Sequence, residues 1–188
     1  MNPLTQFKKI PILPLLIALA LVVAGLARAA ISDFNANRYV LQNASTRQTA
    51  IWYLNNNVFV SGAYGPTLPT GWDVAGVADF NGDGHTDYAL FNSATRQTAI
   101  WYLSGPTLIR GAYGPTVPSG WGLVATGDFN GDGKPDYVLQ NTSTRQTTIW
   151  YLNNNVFVSG AFGPTVPAGW SLVEVEGAVC ESCGYWDY

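Results

Sequence analysis

Two short acidic segments hold most of the side chains in this sequence that could do chemistry. The first is DFNGDGHTD, Asp79 to Asp87, and the second is DFNGDGKPD, Asp128 to Asp136, which lies 49 residues further on. Oxygen-bearing side chains stand at alternate positions, and a glycine takes the sixth position, where positive φ is cheap and a sharp turn is possible. Hard cations such as Ca²⁺ take several oxygen ligands from such a loop. Three carboxylates this close would repel one another without a cation.

Three other interpretations of these segments compete with a calcium site. An EF-hand would place a bidentate Glu at the twelfth position, where Leu90 and Leu139 stand, and would lead into a helix instead of the strand-like DYAL and DYVL. A turn that binds no metal stays open. Catalysis by paired carboxylates has less support, because no other reactive group is arranged around them. His85 and Lys134 share the seventh position, which would contribute a backbone carbonyl.

The acidic segments belong to a tandem repeat that keeps a constant period with no insertion or deletion. Such a period is the first feature to test, because a missed repeat leads to the wrong fold. The recurring elements are a tyrosine at 39, 88 and 137, TRQT at 46, 95 and 144, IWYL at 51, 100 and 149, GPT at 65, 114 and 163, and GW at 71, 120 and 169.

Each repeat predicts four short strands separated by turn residues. Four strands in about 40 to 50 residues, in tandem, indicate propeller-type blades in an all-β fold. A β-sandwich is the alternative, although it would not require identical units. Read from the second copy into the third, the predicted strands of one unit are 120–129, 136–141, 146–152 and 155–163. Because neighbours in a strand face opposite sides, Ile100 and Tyr102 are expected on one face and Trp101 on the other, with Ile149, Tyr151 and Trp150 arranged alike.

The N-terminal segment, 1–29, has the composition of a secretory signal peptide. Lys8 and Lys9 precede an apolar run, Leu15 to Leu26, and ARA at 27–29 supplies a small-x-small cleavage site. Cleavage is expected after Ala29. An uncleaved membrane anchor is the alternative, but the run is shorter than the about 20 residues that span a bilayer. We therefore expect a secreted, extracellular or cell-surface protein, with the periplasm as a further compartment.

The charge of residues 30–188 argues against nucleic acid as a partner. This part of the chain carries six basic and twelve acidic side chains, for a formal charge of −6, and six of the acids are the aspartates of the two loops. The negative charge is therefore local, and two divalent cations would cancel four of those six charges. No histidine partner for a serine, phosphate-binding glycine loop or nucleophilic cysteine is evident, so we expect no enzymatic activity.

The acidic loop followed by DYVLQN and IWYL resembles the FG-GAP or VCBS-type repeat of integrin α-chain propellers and many secreted bacterial proteins. The resemblance covers essentially all of residues 30–188, and it implies propeller blades with Ca²⁺ held between the first and second strands of a blade. It also implies recognition or adhesion as the usual role, although similar propellers are appended to enzymes. The ligands implied for two Ca²⁺ ions are Asp79, Asn81, Asp83, the carbonyl of His85 and Asp87, and Asp128, Asn130, Asp132, the carbonyl of Lys134 and Asp136.

Both ends of the repeat depart from this pattern. The first copy has Arg38 in place of the last aspartate and too few preceding residues for a loop, so it should bind no calcium. The last copy, GWSLVEVEGAV, offers an opening strand, with Gly177 where the next aspartate is expected. That strand could complete the first copy within the chain or in a neighbour, and exchange would make a six-bladed homodimer. The expected divisions are a signal peptide at 1–29, repeats at 30–70, 71–119, 120–168 and 169–179, and a tail at 180–188.

The remaining candidate features are a cysteine pair and the repeated aromatic rings. Cys180 and Cys183 form a CxxC in the tail, where a local disulfide or an intermolecular bond is the simplest expectation for an exported chain. One ring of each Trp-Tyr pair should pack between blades, while the other could form a shelf for a sugar or peptide.

The leading hypothesis is an exported, non-catalytic, calcium-binding recognition or adhesion module with a protein or glycan ligand. A lectin and an accessory propeller of a larger secreted enzyme are the alternatives.

Overall fold

The computed structural model describes residues 37–172 and residue 175, and these residues form an all-β structure of eleven strands. Three predicted features lie outside the described residues. They are the signal peptide, the CxxC pair, and the part of the expected opening strand GWSLVEVEGAV that follows Leu172, except Val175. Within that range no helix is long and apolar enough to cross a membrane. The strands are β1 (Asn37–Gln42), β2 (Gln48–Asn55), β3 (Val58–Thr67), β4 (Trp72–Ala78), β5 (Asp87–Asn92), β6 (Gln97–Ser104), β7 (Thr107–Thr116), β8 (Trp121–Gly127), β9 (Asp136–Asn141), β10 (Gln146–Asn153) and β11 (Val156–Thr165).

The strands form three separate antiparallel sheets in which neighbours along the chain are neighbours in space. The first sheet contains β1 to β3, the second β4 to β7, and the third β8 to β11. The predicted all-β class with tandem blades is confirmed, and the sheets are not closed into a barrel. The four strands predicted for each full repeat are found within a few residues of their expected bounds. The first sheet has three strands among the described residues, as the missing opening segment of that copy predicts.

Each sheet has two faces that the strand periodicity defines. Tyr88 lies opposite Trp101 across β5 and β6, and Ala89 lies opposite Ile100. Because cross-strand partners share a face, the tyrosine and the tryptophan point one way while the alanine and the isoleucine point the other. We call the face with the tyrosine-tryptophan pair the leading face and the opposite one the trailing face. The leading pairs are Tyr39 with Trp52, Tyr88 with Trp101, and Tyr137 with Trp150.

The core lies between consecutive sheets, so the second sheet is buried on both sides. Its trailing residues Ala89, Ile100 and Tyr102 pack in one cluster with Tyr137 and Leu139 from the leading face of the third sheet. Its own leading face forms a second cluster, to which Val40 of β1 contributes. Two-sided burial explains why DYALFN is buried almost throughout, whereas a strand with one wet face would alternate.

In the second and third sheets, the equivalent aromatic rings are packed alike on the leading faces and differently on the trailing faces. Trp101 and Trp150 are both half-buried, as equivalent blades predict. Tyr102 is 1% exposed because the third sheet covers it, whereas Tyr151 is half-buried. The repeat units are therefore equivalent in fold, and they differ only where a neighbouring sheet covers one of them.

The turn after the second strand of each unit is built by one asparagine. The Asn43 side-chain oxygen accepts hydrogen bonds from the backbone N–H groups of Ser45 and Thr46, at 2.9 and 2.8 Å. Asn92 and Asn141 make the same pair of bonds to the second and third residues that follow them. Such bonds are why asparagine is favoured in turns. The recurrence of asparagine in NAS and NTS therefore has a structural cause, apart from any glycosylation.

Candidate metal centre

Each acidic segment is the connection between the first and second strands of a complete sheet. Residues 79–86 join β4 to β5, and residues 128–135 join β8 to β9. Gly84 and Gly133, the sixth residues, have φ of 87° and 78°, which residues with a Cβ rarely adopt. The predicted sharp turn at the sixth position is therefore confirmed in both copies.

The first aspartate of each loop holds the loop backbone in place. Asp79 accepts hydrogen bonds from the N–H groups of Gly82, Asp83 and Gly84, at 2.8 to 3.2 Å. Its counterpart Asp128 accepts bonds from the third and fifth residues that follow it, both at 2.8 Å. Each loop thus curls around one carboxylate, which brings the later oxygen-bearing residues back toward it.

The third, fifth and seventh positions form a second set of contacts that is the same in the two loops. The Asn81 amide nitrogen donates to an Asp83 carboxylate oxygen at 2.9 Å, and the other Asp83 oxygen accepts from the His85 N–H at 2.8 Å. Asn130, Asp132 and Lys134 repeat these contacts at 3.2 and 2.9 Å. The observed backbone contact of His85 and Lys134 is thus an N–H donated to the fifth residue, while the carbonyl contribution of the seventh residue to an ion stays a prediction.

The ninth position has a structural role that the sequence pattern alone does not reveal. Asp87 is fully buried, and its two carboxylate oxygens accept hydrogen bonds from the N–H groups of Phe80 and Leu103, at 3.0 and 2.9 Å. Asp136 is also fully buried and makes the equivalent bonds to Phe129 and Leu152, both at 3.0 Å. This aspartate therefore joins the start of the loop to the third strand of its own sheet.

The buried aspartates have pKa values above the ordinary range. Desolvation raises the pKa of Asp87 to about 6, against the opposing effect of its two backbone hydrogen bonds, and the negative charges of Asp83 and Asp79 raise it further. Burial raises the pKa of Asp136 in the same way, and Asp132 and Asp128 contribute to the shift. The three carboxylates of each loop are thus close enough to influence one another electrostatically.

The loops match Ca²⁺ in the kind of atoms they offer. The side chains at the first, third, fifth and ninth positions present oxygen, and a carboxylate oxygen that accepts one N–H bond retains a further lone pair. In residues 37–172 and 175, no group of three or more His, Cys, Asp or Glu side chains is arranged to hold a metal ion. The carboxylates are directed toward backbone and amide N–H groups. The fit to calcium therefore rests on donor chemistry and on the crowding of negative charge.

Two aromatic clefts lie on the leading faces of the second and third sheets. Trp72, Trp101 and Tyr113 line one cleft of about 230 Å³, and Trp72 and Tyr113 approach with ring centroids 6.1 Å apart. Trp121, Trp150 and Phe162 line the equivalent cleft, of about 270 Å³. In the second and third sheets, the tryptophan of the Trp-Tyr pair lines a cleft, and the tyrosine does not.

Comparison with known proteins agrees with the repeat architecture. A family model described as FG-GAP-like repeat matches residues 79–139, from the first aspartate of one loop into the strand that follows the next loop. Residues 79–139 therefore carry an FG-GAP-like repeat. The match spans about a third of the 188 residues, and the 49-residue period of the sequence continues on both sides of it. No curated protein matches the chain.

Proposed function

We propose that this FG-GAP-type protein is an exported, calcium-stabilised recognition module without catalytic activity. The observation that carries the proposal is the pair of acidic loops, which stand at the same place in consecutive repeats with the same residues and nearly all of the same hydrogen bonds. The turn bonds of these residues account for part of the recurrence. A common ion requirement would account for the concentration of three carboxylates in each loop, because such a site needs oxygen ligands at these positions.

The side chains that would hold the ions are the alternate oxygen donors of each loop. Asp79, Asn81 and Asp83 lie on the exposed or half-buried part of the first loop, and Asp87 lies buried at its base. A cation beside these carboxylates would offset the repulsion among them and the cost of burying the charge of Asp87. It would also replace the Asn81 amide as a partner of Asp83. In the second loop Asp128, Asn130, Asp132 and Asp136 would act alike, and His85 and Lys134 would add backbone carbonyls.

The absence of catalysis is supported by how the acidic groups are used. Asp87 and Asp136 are fully buried at the base of their loops, where each accepts two backbone N–H bonds, so neither is accessible to a substrate. The aspartates at the first and fifth positions of each loop organise the turn. A ligand would be recognised elsewhere on the repeated surface, and the expected partner is a protein or a glycan in an extracellular compartment.

Calcium titration calorimetry tests the proposal directly. We expect two sites and a higher melting temperature with calcium than with chelator, because an ion that binds only the folded state stabilises it by mass action. Dissociation constants of about 10⁻⁴ to 10⁻³ M are typical of extracellular modules. Asp83→Ala and Asp132→Ala should each remove one site, while Asp73→Ala, outside both loops, should leave two. A melting temperature indifferent to chelator would refute the calcium part of the proposal.

Carbohydrate binding is a second candidate, favoured by the two equivalent aromatic clefts. Aromatic rings offer flat apolar surfaces to ligands, and two tryptophans and a third aromatic ring converge on each cleft. Trp101→Ala combined with Trp150→Ala should abolish binding on a glycan array. Tyr102→Phe is the matched control, since Tyr102 is buried on the opposite face. Equal binding by the wild type and the double variant would exclude the clefts as sugar sites.

A further inference from the structure

The two junctions between consecutive sheets are built by the same inserted tyrosine. Tyr88 of the second sheet and Tyr137 of the third are both fully buried. The hydroxyl of Tyr88 lies 3.5 Å from the point where a Cβ on Gly65 would stand, and that of Tyr137 lies 3.4 Å from the same point on Gly114. The leading tyrosine of each sheet thus reaches a glycine on the last strand of the sheet before it.

A threonine forms the polar wall of each tyrosine slot. The same Cβ point lies 2.5 Å from the hydroxyl oxygen of Thr49 at Gly65, and 2.5 Å from that of Thr98 at Gly114. Each threonine hydroxyl donates to a proline carbonyl on the last strand of its sheet, at 2.7 Å, which fixes its orientation. A glycine is required here because any side chain would meet this threonine.

The third sheet has the same slot, built from equivalent residues. Thr147 donates to the carbonyl of Pro164 at 2.7 Å, and the three atoms nearest to a Cβ on Gly163 all belong to Thr147. Ile149 on the same trailing face is partly exposed, whereas the equivalent Ile100 is completely buried under the third sheet. The trailing face of the third sheet is therefore a preformed half of a junction.

The first sheet carries the complementary half. Tyr39, equivalent to the buried Tyr88 and Tyr137, is 57% exposed, and its cross-strand partner Trp52 is 38% exposed. Tyr39 of the first sheet is therefore not buried in a slot. In the slot of the third sheet, no tyrosine is among the three atoms nearest to a Cβ on Gly163. The two faces match because the internal junctions already show how such faces pack.

We propose that a second copy of this chain docks on these faces, with Tyr39 of each copy inserted beside Thr147 and Gly163 of the other. The junction is head-to-tail, and two copies related by a twofold axis form it twice. Two copies bring six sheets together, within the usual 4 to 8 blades of a closed propeller, whereas the three described sheets of one copy fall below that range. This assembly goes beyond the proposed recognition function and does not depend on calcium.

The turn after β11 supports the same arrangement. The backbone N–H of Trp170 donates to the carbonyl of Pro167 at 3.2 Å, and the backbone N–H groups of Trp72 and Trp121 make the same bond to the proline three residues before them. Each of these turns contains a glycine with φ of 81° to 83°. In the earlier units this turn starts the first strand of the next sheet. Trp170 is 70% exposed, and residues 170–172 belong to no strand, while the first sheet has three strands in the described part of the chain.

The register of that added strand follows from the two complete sheets. Trp72 lies opposite Asn92 and Val74 opposite Leu90, and the third sheet repeats this pairing. Shifted by the repeat, Trp170 of one copy lies opposite Asn43 of the other, and Leu172 lies opposite Leu41. The donated strand and the inserted tyrosine belong to the same junction, since both connect the third sheet of one copy to the first sheet of the next.

The mass of the purified protein in solution tests the proposal. By size exclusion with light scattering, the wild type should have twice the mass of one chain, and Tyr39→Ala and Ile149→Lys should both shift to the mass of one chain. Both positions are partly or largely exposed within one copy, so circular dichroism and the melting temperature should show folded variants. Tyr113→Ala, at an exposed tyrosine of the second sheet that lies on neither docking face, should remain a dimer.

Mixing the two monomeric variants tests whether the junction is head-to-tail. Tyr39→Ala retains the slot and Ile149→Lys retains the tyrosine, so one junction of the two can form between them. Tagged Tyr39→Ala should therefore capture Ile149→Lys, whereas neither variant should capture an untagged copy of itself. The proposal would be overturned if the wild type were monomeric at every concentration or formed assemblies larger than two chains. It would also be overturned if Tyr39→Ala left the dimer intact or if the mixed capture failed.

Discussion

Replacing Tyr137 by alanine is expected to destabilise the fold by about 3 to 5 kcal/mol, the range for removing a large aromatic side chain from a core. Tyr137 is fully buried and belongs to the cluster that joins the second sheet to the third. Its ring packs against Phe80, with centroids 6.1 Å apart. The alanine would leave a cavity between two sheets that cannot collapse without moving both. Urea unfolding followed by tryptophan fluorescence measures the loss.

The repeat supplies a matched control for this substitution. Tyr39 stands at the same position of the first unit, yet it is more than half exposed in one copy. Tyr39→Ala should therefore cost less than about 1 kcal/mol when unfolding is measured at a concentration where both variants are monomeric. Equal losses at the two positions would show that burial between consecutive sheets does not stabilise this fold. The difference between two chemically identical substitutions isolates the contribution of the junction.

Most of the fold follows from the sequence because the repeat removes the usual ambiguity. One unit shows a four-stranded pattern, and its recurrence at a constant spacing makes each strand assignment a test of the others. The faces of Ile100, Trp101 and Tyr102 follow from the strand period alone. What the period could not indicate is which face a neighbouring sheet would cover. Tyr102 and Tyr151 have the same sequence context, and their burial differs because only one has a sheet against it.

The candidate site was less fully accessible from the sequence. The glycine turn could be predicted, since it depends on local conformation. The position of Asp87 could not, because its partner Leu103 lies 16 residues away on β6 and is set by sheet register. Two features of the sequence pointed to this role of Asp87. Phe recurs directly after the first aspartate of each loop, and a strand begins directly at the last.

The stability of the protein in chelator is expected to fall as the pH rises from about 4 to about 6, and Asp87 is the main reason. Its pKa in the folded protein, about 6, lies above the value near 3.8 that an unfolded chain would show. Between those values the folded state binds more protons than the unfolded state, so the free energy of unfolding decreases with rising pH. The full effect of a shift of this size is at most about 3 kcal/mol.

Calcium should reverse this slope. The ion requires ionised carboxylates, so its binding strengthens over the same pH range, and the free energy of unfolding should rise with pH when calcium is saturating. Asp87→Asn keeps the shape of the side chain and removes its titration, so the fall in chelator should become shallower. The remaining fall belongs to Asp136, whose pKa is raised by the same burial. Urea unfolding at several pH values, with calcium and with chelator, provides both slopes. If Asp87→Asn left the chelator slope unchanged, Asp87 would not be the group that titrates. Its carboxylate would then have to be ionised in the folded protein throughout that pH range.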